Sequence, residues 1–344
     1  MPVKRPLQLV LLCGLAAMLV AGCGGEDSAG EAKDPIKAVS ASVRDQVASA
    51  QTVDPSQFPK PGPGQALEDF AGQFDTSGPQ AVAASSRFRP PTNRLAFGLL
   101  NAQQRFSYGK TVVYVQKRGS TEIAGPIAAP ADVLVTEPRY RSQQAASEKS
   151  PFAAIYHAEV PTPTPGIFNV LVVSDTTGGR IAAPLSIQVV SRAQDDIPDV
   201  GEAAPKVRTD TLGSVKGDES MLTTRLPATT ELAEKPFSDY LGKKPVALLF
   251  ATPQLCQSRV CGPVTDEMLQ LKARYGDDMA FIQQEVYVSN DPSKGLRDPL
   301  KRFKLRSEPW LFTVRKDGTI AARLEGSIGL SEFEGAIKAA LKPR

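Results

Sequence analysis

The sequence has almost no net charge and no concentrated run of basic residues. Its 40 Lys and Arg residues against 37 Asp and Glu give a net charge of +3. Proteins that bind nucleic acid usually gather basic residues on one face or in one motif. Nucleic acid is therefore not expected as a partner.

Histidine is nearly absent, since His157 is the only one in the chain. Strand alternation places Tyr156 and Val160 on one face and His157 with Glu159 on the other. A metal site needs several converging ligands, and no second histidine is there to supply one. We expect a solvent-facing strand histidine, no metal site and no cofactor.

The sequence also lacks an apolar run long enough to cross a membrane. The stretch from Leu7 to Val20 falls short of the about 20 residues that a spanning helix needs. Lys4 and Arg5 precede it and small residues follow it, which is the pattern of a secretory signal. We expect the signal to be removed and the rest of the chain to act outside the cytoplasm.

The end of this segment resembles the lipobox of bacterial lipoproteins, through Val20-Ala21-Gly22-Cys23. The resemblance implies that residues 1–22 are a lipoprotein signal peptide, cleaved before Cys23, and that a diacylglyceryl group is attached to the Cys23 sulfur. The mature protein would then be anchored to the cell membrane on its extracytoplasmic face. An ordinary cleaved signal or a short anchor is the alternative.

Cysteine is scarce, with four in the whole chain. Cys13 would leave with the signal and Cys23 would carry the lipid, so Cys256 and Cys261 remain. In an oxidising compartment two remaining cysteines are candidates for one disulfide bond.

The length of 344 residues allows about two domains with some chain left over. Residues 23–87 are rich in Ala, Ser, Gly and Pro, which predicts a flexible tether. Two stretches inside it could form short helices, but neither has enough apolar surface to fold alone. Residues 192–235 are again poor in apolar residues and predict an interdomain linker that can add an edge strand to the C-terminal domain.

Residues 88–191 have the period of two that is typical of strands. Val113 and Val115 alternate with Val112 and Tyr114, and 168–173 is a continuous apolar run. Several short strands without helical patterns predict an all-β sandwich. The arrangement resembles an immunoglobulin-like module, although it lacks the cysteine pair of antibody-type domains.

Residues 236–344 alternate between strand and helix. Val246–Phe250 predicts a buried strand, and Pro263 marks the start of a helix that ends at Gly276. Residues 310–324 predict an antiparallel hairpin. Ser331-Glu332-Phe333-Glu334 predicts a capping box for a final helix with the core stripe Phe333, Ile337 and Leu341.

This order of elements resembles the thioredoxin-like superfamily. The residues that carry the resemblance are Phe250-Ala251-Thr252, the pair Cys256 and Cys261, Cys261-Gly262-Pro263, and Glu308-Pro309-Trp310. It implies an α/β thioredoxin-like domain with Cys256, Cys261 and a cis Pro309 as catalytic residues. The nucleophile of the family usually comes first, which would be Cys256, while the start of a helix at Cys261 would favour a thiolate there.

Two features depart from the family pattern. Four residues, Gln257-Ser258-Arg259-Val260, separate the cysteines where thioredoxins usually have two. Glu308 would lie near the sulfurs, where a carboxylate disfavours the thiolate, and Arg259 could offset it.

Three functions are compatible with the sequence. The first is thiol-disulfide exchange with exported protein thiols or disulfides. The second is a non-catalytic surface lipoprotein whose disulfide braces a binding scaffold. The third is binding or delivery of Cu(I) by two thiolates, which the absence of a histidine after His157 disfavours.

Overall fold

The computed structural model describes residues 39–149 and 152–343. The expected signal peptide, Cys13 and the expected lipid site at Cys23 lie outside the described residues. Among the helices of the described part of the chain, none is long and apolar enough to cross a membrane.

The described chain begins with two short helices, α1 (Ala41–Ala50) and α2 (Leu67–Ala71). Eight strands come next: β1 Gln80–Ala83, β2 Thr92–Leu100, β3 Lys110–Lys117, β4 Ile123–Ala128, β5 Ala131–Val133, β6 Ala154–Pro161, β7 Gly166–Thr176 and β8 Gly179–Val189.

These strands form two four-stranded sheets, with the orders β1-β2-β6-β5 and β4-β3-β7-β8. Every pairing within them is antiparallel. Residues from both sheets, including Phe97, Val113, Val115 and Tyr156, share one buried core. The predicted all-β sandwich is therefore present, while its immunoglobulin-like arrangement stays a prediction.

The outer face of the β4-β3-β7-β8 sheet is also apolar, because Val112 and Tyr114 point away from the shared core. Phe58, Leu67 and Phe70 cover this face. The Phe70 and Tyr114 rings lie 4.8 Å apart, edge to face.

Residues 39–87 were expected to be a flexible tether, and for this stretch the expectation is wrong. Val47 and Ala50 of α1 are buried in the sandwich core, and β1 is hydrogen-bonded to β2. The two helices lack enough apolar surface to fold alone, as expected, but the sandwich supplies the surface that buries them.

The C-terminal part contains α3 Glu219–Leu222, α4 Phe237–Tyr240, β9 Val246–Phe250, α5 Cys261–Tyr275, β10 Ala280–Gln284, α6 Asp298–Arg302, β11 Trp310–Val314, β12 Ile320–Glu325 and α7 Leu330–Leu341. Its sheet has the order β10-β9-β11-β12, with β9 and β10 parallel and the remaining pairs antiparallel. Apolar residues of α5 and α7 cover one face of the sheet, and those of α4 and α6 cover the other. The order strand, helix, strand, helix, hairpin, helix is the predicted thioredoxin-like order.

Residues 192–235 are more than a linker. Ile197 and Val207 are buried in the core of the C-terminal sheet. The Gly201 amide donates to the Ile320 carbonyl, and the Ile320 amide donates to the Glu202 carbonyl, each at 2.9 Å. The segment thus pairs with the hairpin beside β12 through an isolated bridge, but none of its described residues forms a strand.

The predicted capping box of α7 is wrong. Gly329 is the N-cap residue and no side chain of the helix caps it. Instead, Asp132 of β5 accepts hydrogen bonds from the Ser331 amide at 3.1 Å and the Glu332 amide at 2.8 Å. A carboxylate from the sandwich therefore caps the last helix of the other domain, which local sequence cannot reveal.

Candidate functional site

The cysteine pair lies where β9 gives way to α5. Cys256 is in the loop, Cys261 is the first residue of α5, and a disulfide joins them with their Cα atoms 6.0 Å apart. Cys256 is 6% exposed and Cys261 is fully buried. The helix amides at this end favour a negative charge on Cys261, whereas Cys256 is the sulfur nearer to solvent.

The loop between the cysteines makes one tight turn. Arg259 has a φ of 58°, a left-handed conformation, and its amide donates to the Cys256 carbonyl at 3.1 Å. The Ser258 hydroxyl lies 3.2 Å from the Cys256 sulfur. The turn accommodates the two extra residues and places a hydroxyl beside the more exposed sulfur.

The Glu308–Pro309 peptide bond is cis, as the resemblance implied for Pro309. Glu308 and Ser258 line the same cavity of about 280 Å³, with Tyr287 and Leu300 among its other walls. Glu308 is thus next to the cysteine loop, as expected from the sequence. Within the described residues no ion pair joins Arg259 to Glu308, so the expected compensation by Arg259 is not seen.

Burial raises the pKa of Glu308 to about 7, and the nearby Glu285 carboxylate adds to the shift while the Tyr287 hydroxyl opposes it. Glu308 Oε1 accepts from the Tyr287 hydroxyl at 3.4 Å. Its Oε2 is buried and has no hydrogen-bond partner among the described residues. Glu308 can therefore exchange a proton near neutral pH, beside the cysteine loop.

A segment of the sandwich closes over the start of α5. A Cβ built on Gly262 would lie 2.5 Å from the Gln144 carbonyl oxygen, so the two backbones are in direct contact. The Ser142 amide and hydroxyl both donate to Asp266 at 2.9 Å. Val260, the residue directly before Cys261, belongs to the sandwich core. The sandwich thus shields the helix end that carries Cys261.

Arg225 secures this contact from the segment before β9. Its Nε donates to Asp266 at 3.0 Å, and its Nη2 donates to the Tyr140 carbonyl at 2.8 Å. Both Arg225 and Asp266 are almost fully buried. Burial raises the pKa of Asp266 to about 6, although Ser142 and Arg225 oppose the shift. Sequence reasoning missed this network because its members are far apart in the chain and no pattern joins them.

The chain's one histidine is only partly exposed to solvent. His157 lies at the junction of the two domains, its side chain 24% exposed and its Nδ1 atom 3.5 Å from Glu332 Oε1 of α7. The expectation of a solvent-facing histidine holds only in part, because the imidazole keeps some exposure to solvent but also lies beside Glu332. Within the described residues, the group of side chains that could hold a metal is Asp132, His157 and Glu332. Neither cysteine belongs to it.

Comparisons with known proteins give weak likenesses. No protein-family model matches the chain, and no curated protein matches it. A Chlorobium tepidum protein assigned as the thiol:disulfide interchange protein DsbE is 16% identical, with a TM-score of 0.31 over 42% of this chain and 99% of that chain. A thioredoxin family thiol:disulfide interchange protein from Chlorobium tepidum is 14% identical, with a TM-score of 0.27 over 42% of this chain and 99% of that chain.

The SrpA adhesin from Streptococcus sanguinis is 14% identical, with a TM-score of 0.20 over 40% of this chain and 69% of that chain. With TM-scores below 0.5, these likenesses do not define the fold. The strand order, the cysteine pair before α5 and the cis Pro309 are the features that the resemblance implied. Membership of the thioredoxin-like superfamily stays a prediction.

Proposed function

We propose that the chain is a membrane-anchored, extracytoplasmic thioredoxin-like protein that exchanges disulfides with exported proteins through Cys256 and Cys261. The observation that carries the proposal is the disulfide at the N-terminus of α5, beside a cavity that contains Glu308. A reactive thiol needs a neighbour that stabilises its anion, and a helix N-terminus is such a neighbour.

The geometry favours Cys256 as the sulfur that meets the substrate. A substrate thiolate attacks the Cys256 sulfur, the bond to Cys261 breaks, and Cys261 leaves with the electron pair as a thiolate at the start of α5. A second substrate thiolate then attacks the mixed disulfide and releases Cys256 as a thiolate. The substrate leaves as a disulfide and the pair as a dithiol, and the reverse sequence reduces a substrate disulfide.

The second candidate is a binding scaffold in which the disulfide only braces the loop. Burial favours it, because Cys256 and Cys261 both belong to the hydrophobic core under α5. A disulfide that closes a loop this short constrains the unfolded chain little, so its contribution to stability would be small.

Two matched variants separate the candidates. Cys261→Ser leaves Cys256 free and should accumulate mixed disulfides with exported proteins. Cys256→Ser leaves the buried Cys261 and should accumulate far fewer. Thiol trapping should give the wild-type pair a reduction potential in the oxidoreductase range of about −120 to −270 mV. If neither variant traps a partner and the potential lies below about −300 mV, the scaffold is the better description.

The anchor needs a separate measurement. Mass spectrometry of the mature N-terminus should find a diacylglyceryl group on Cys23. An unmodified Cys23, or a chain that starts at another residue, would contradict membrane anchoring without affecting the proposal for the cysteine pair.

A further inference from the structure

Three elements from the two domains bring metal-ligating side chains together at their junction: Asp132 from β5, His157 from β6 and Glu332 from α7. One ligand atom of each lies within 4.8 Å of the others. The distance from His157 Nδ1 to Glu332 Oε1 is 3.5 Å. Bonds of about 2.1 Å in a tetrahedral zinc site place neighbouring ligands about 3.4 Å apart.

Hydrogen bonds from both domains hold the two carboxylates in place. Glu332 accepts from Arg94 Nε and Nη2, each at 2.6 Å, one bond to each oxygen. Asp132 Oδ1 accepts from the Val133 and Ser331 amides and its Oδ2 accepts from the Glu332 amide, while the Ser331 hydroxyl also donates to this carboxylate. An ionised carboxylate has about four acceptor sites. These contacts therefore orient both carboxylates, and a metal ion would take the place of one of the hydrogen bonds to Asp132.

A third carboxylate shows that negative charge at this junction is not balanced. Glu267 of α5 is fully buried, and neither of its oxygens has a hydrogen-bond partner among the described residues. Burial, together with repulsion from Asp132, Asp266 and Glu332, raises its pKa well above the usual value. A buried carboxylate without a partner is costly. Asp266 is paired with Arg225 and Glu332 with Arg94. Among the described residues Asp132 has no ion pair, so a cation beside it would supply a positive charge.

We infer that Asp132, His157 and Glu332 form a binding site for a divalent cation of the zinc type, which ties the sandwich to α7. Imidazole nitrogen and carboxylate oxygen are ligands that Zn²⁺ accepts. The side chain of His157 is 24% exposed while that of Glu332 is 11% exposed, so the site opens to solvent on the histidine side. Water is the fourth ligand from that direction. The inference is independent of the proposed exchange reaction, because neither cysteine takes part.

The test is a calorimetric titration of the full chain with Zn²⁺, without an affinity tag, with the disulfide oxidised and free thiols alkylated. We expect one saturable site. His157→Ala should weaken the affinity for Zn²⁺ by at least about 10-fold to 100-fold. Loss of a residue that only hydrogen-bonds to a metal ligand typically has an effect of that size. The matched control is Glu122→Gln, an exposed carboxylate in the turn between β3 and β4, which should leave the affinity unchanged.

A thermal unfolding experiment separates loss of the metal from loss of the fold. Zn²⁺ should raise the melting temperature of the wild type and of Glu122→Gln, because a ligand that binds the native state stabilises it. It should leave that of His157→Ala unchanged, and His157→Gln provides a second variant of similar size. Asp132→Asn also removes the cap of α7, so it is not used to decide. The inference is overturned if Zn²⁺ does not bind saturably, or if it binds and stabilises both histidine variants as it does the wild type.

Discussion

Two glycine-to-alanine variants in different helices should have opposite effects on stability. Gly262 lies in the first turn of α5 and Gly335 lies in the middle of α7. A Cβ on Gly262 would meet the Gln144 backbone oxygen at 2.5 Å, whereas a Cβ on Gly335 would have nothing within 4 Å outside its own helix. The same chemical change therefore tests whether the sandwich is docked on the cysteine helix.

The expected magnitudes come from two opposing effects. Alanine in a helix interior is favoured over glycine by about 1 kcal/mol, so Gly335→Ala should stabilise the protein by roughly that amount. At Gly262 the added methyl group overpacks a contact, which typically costs about 1–3 kcal/mol. The methyl group would meet the backbone of Gln144, which cannot move aside as a flexible side chain does. The cost of overpacking should therefore lie near the upper end of this range. When the gain in helix propensity is subtracted from this cost, Gly262→Ala should be less stable than the wild type by about 1–2 kcal/mol.

Urea denaturation monitored by fluorescence of Trp310 measures both variants. Trp310 is the chain's only tryptophan and is 1% exposed in β11, so its emission reports unfolding of the C-terminal sheet. The disulfide of Gly262→Ala should also react faster with dithiothreitol, because the segment that covers the start of α5 is displaced. A Gly262→Ala protein as stable as Gly335→Ala would refute the docking of the sandwich on α5.

Three further predictions concern residues of both domains. Phe70→Ala should lower the free energy of unfolding by about 3–5 kcal/mol, up to the free energy that docks residues 39–87. The control Gln73→Ala should lower it by less than about 0.5 kcal/mol. Urea denaturation measures both, and equal midpoints would support the expected flexible tether. Glu308 has a raised pKa of about 7, so its contribution to stability is complete below its usual pKa and is lost as pH rises through about 7. Glu308→Gln should therefore weaken the pH dependence of the free energy of unfolding between about pH 5 and pH 8. An unchanged pH profile would contradict the raised pKa of Glu308. Arg225→Gln breaks a buried ion pair and should lower the free energy of unfolding by about 3–5 kcal/mol. Lys338→Gln breaks an exposed ion pair and should lower it by less than about 1 kcal/mol. Equal losses would argue against the buried network of Arg225 and Asp266.

The local elements of the C-terminal domain were predictable because their signals are local. The apolar run Val246–Phe250 is the buried strand β9, and Gly276 ends α5. The cysteine pair and the cis bond before Pro309 are found as the resemblance implied. Each of these features depends on residues that are close together in the sequence or on a recognisable family motif.

The features that could not be predicted depend on contacts between distant residues. No sequence pattern connects Asp132 with the α7 amides, although Ser331 and Glu334 have the spacing of a local cap. A signal for the order of residues 39–87 was present, since Val112 and Tyr114 leave the outer face of a sheet apolar. An apolar sheet face needs a cover, and the aromatic residues of the supposed tether provide it.

The docked sandwich changes what is expected of the cysteine pair. Two effects act on a Cys261 thiolate: the amides at the start of α5 stabilise it, and burial destabilises it. Since Gln144 closes the helix end and Cys261 is fully buried, solvent cannot assist the leaving thiolate. A thiolate that leaves less readily makes the disulfide slower to open. We therefore expect contacts of the sandwich with α5, such as Ser142 to Asp266, to slow the reaction of the pair.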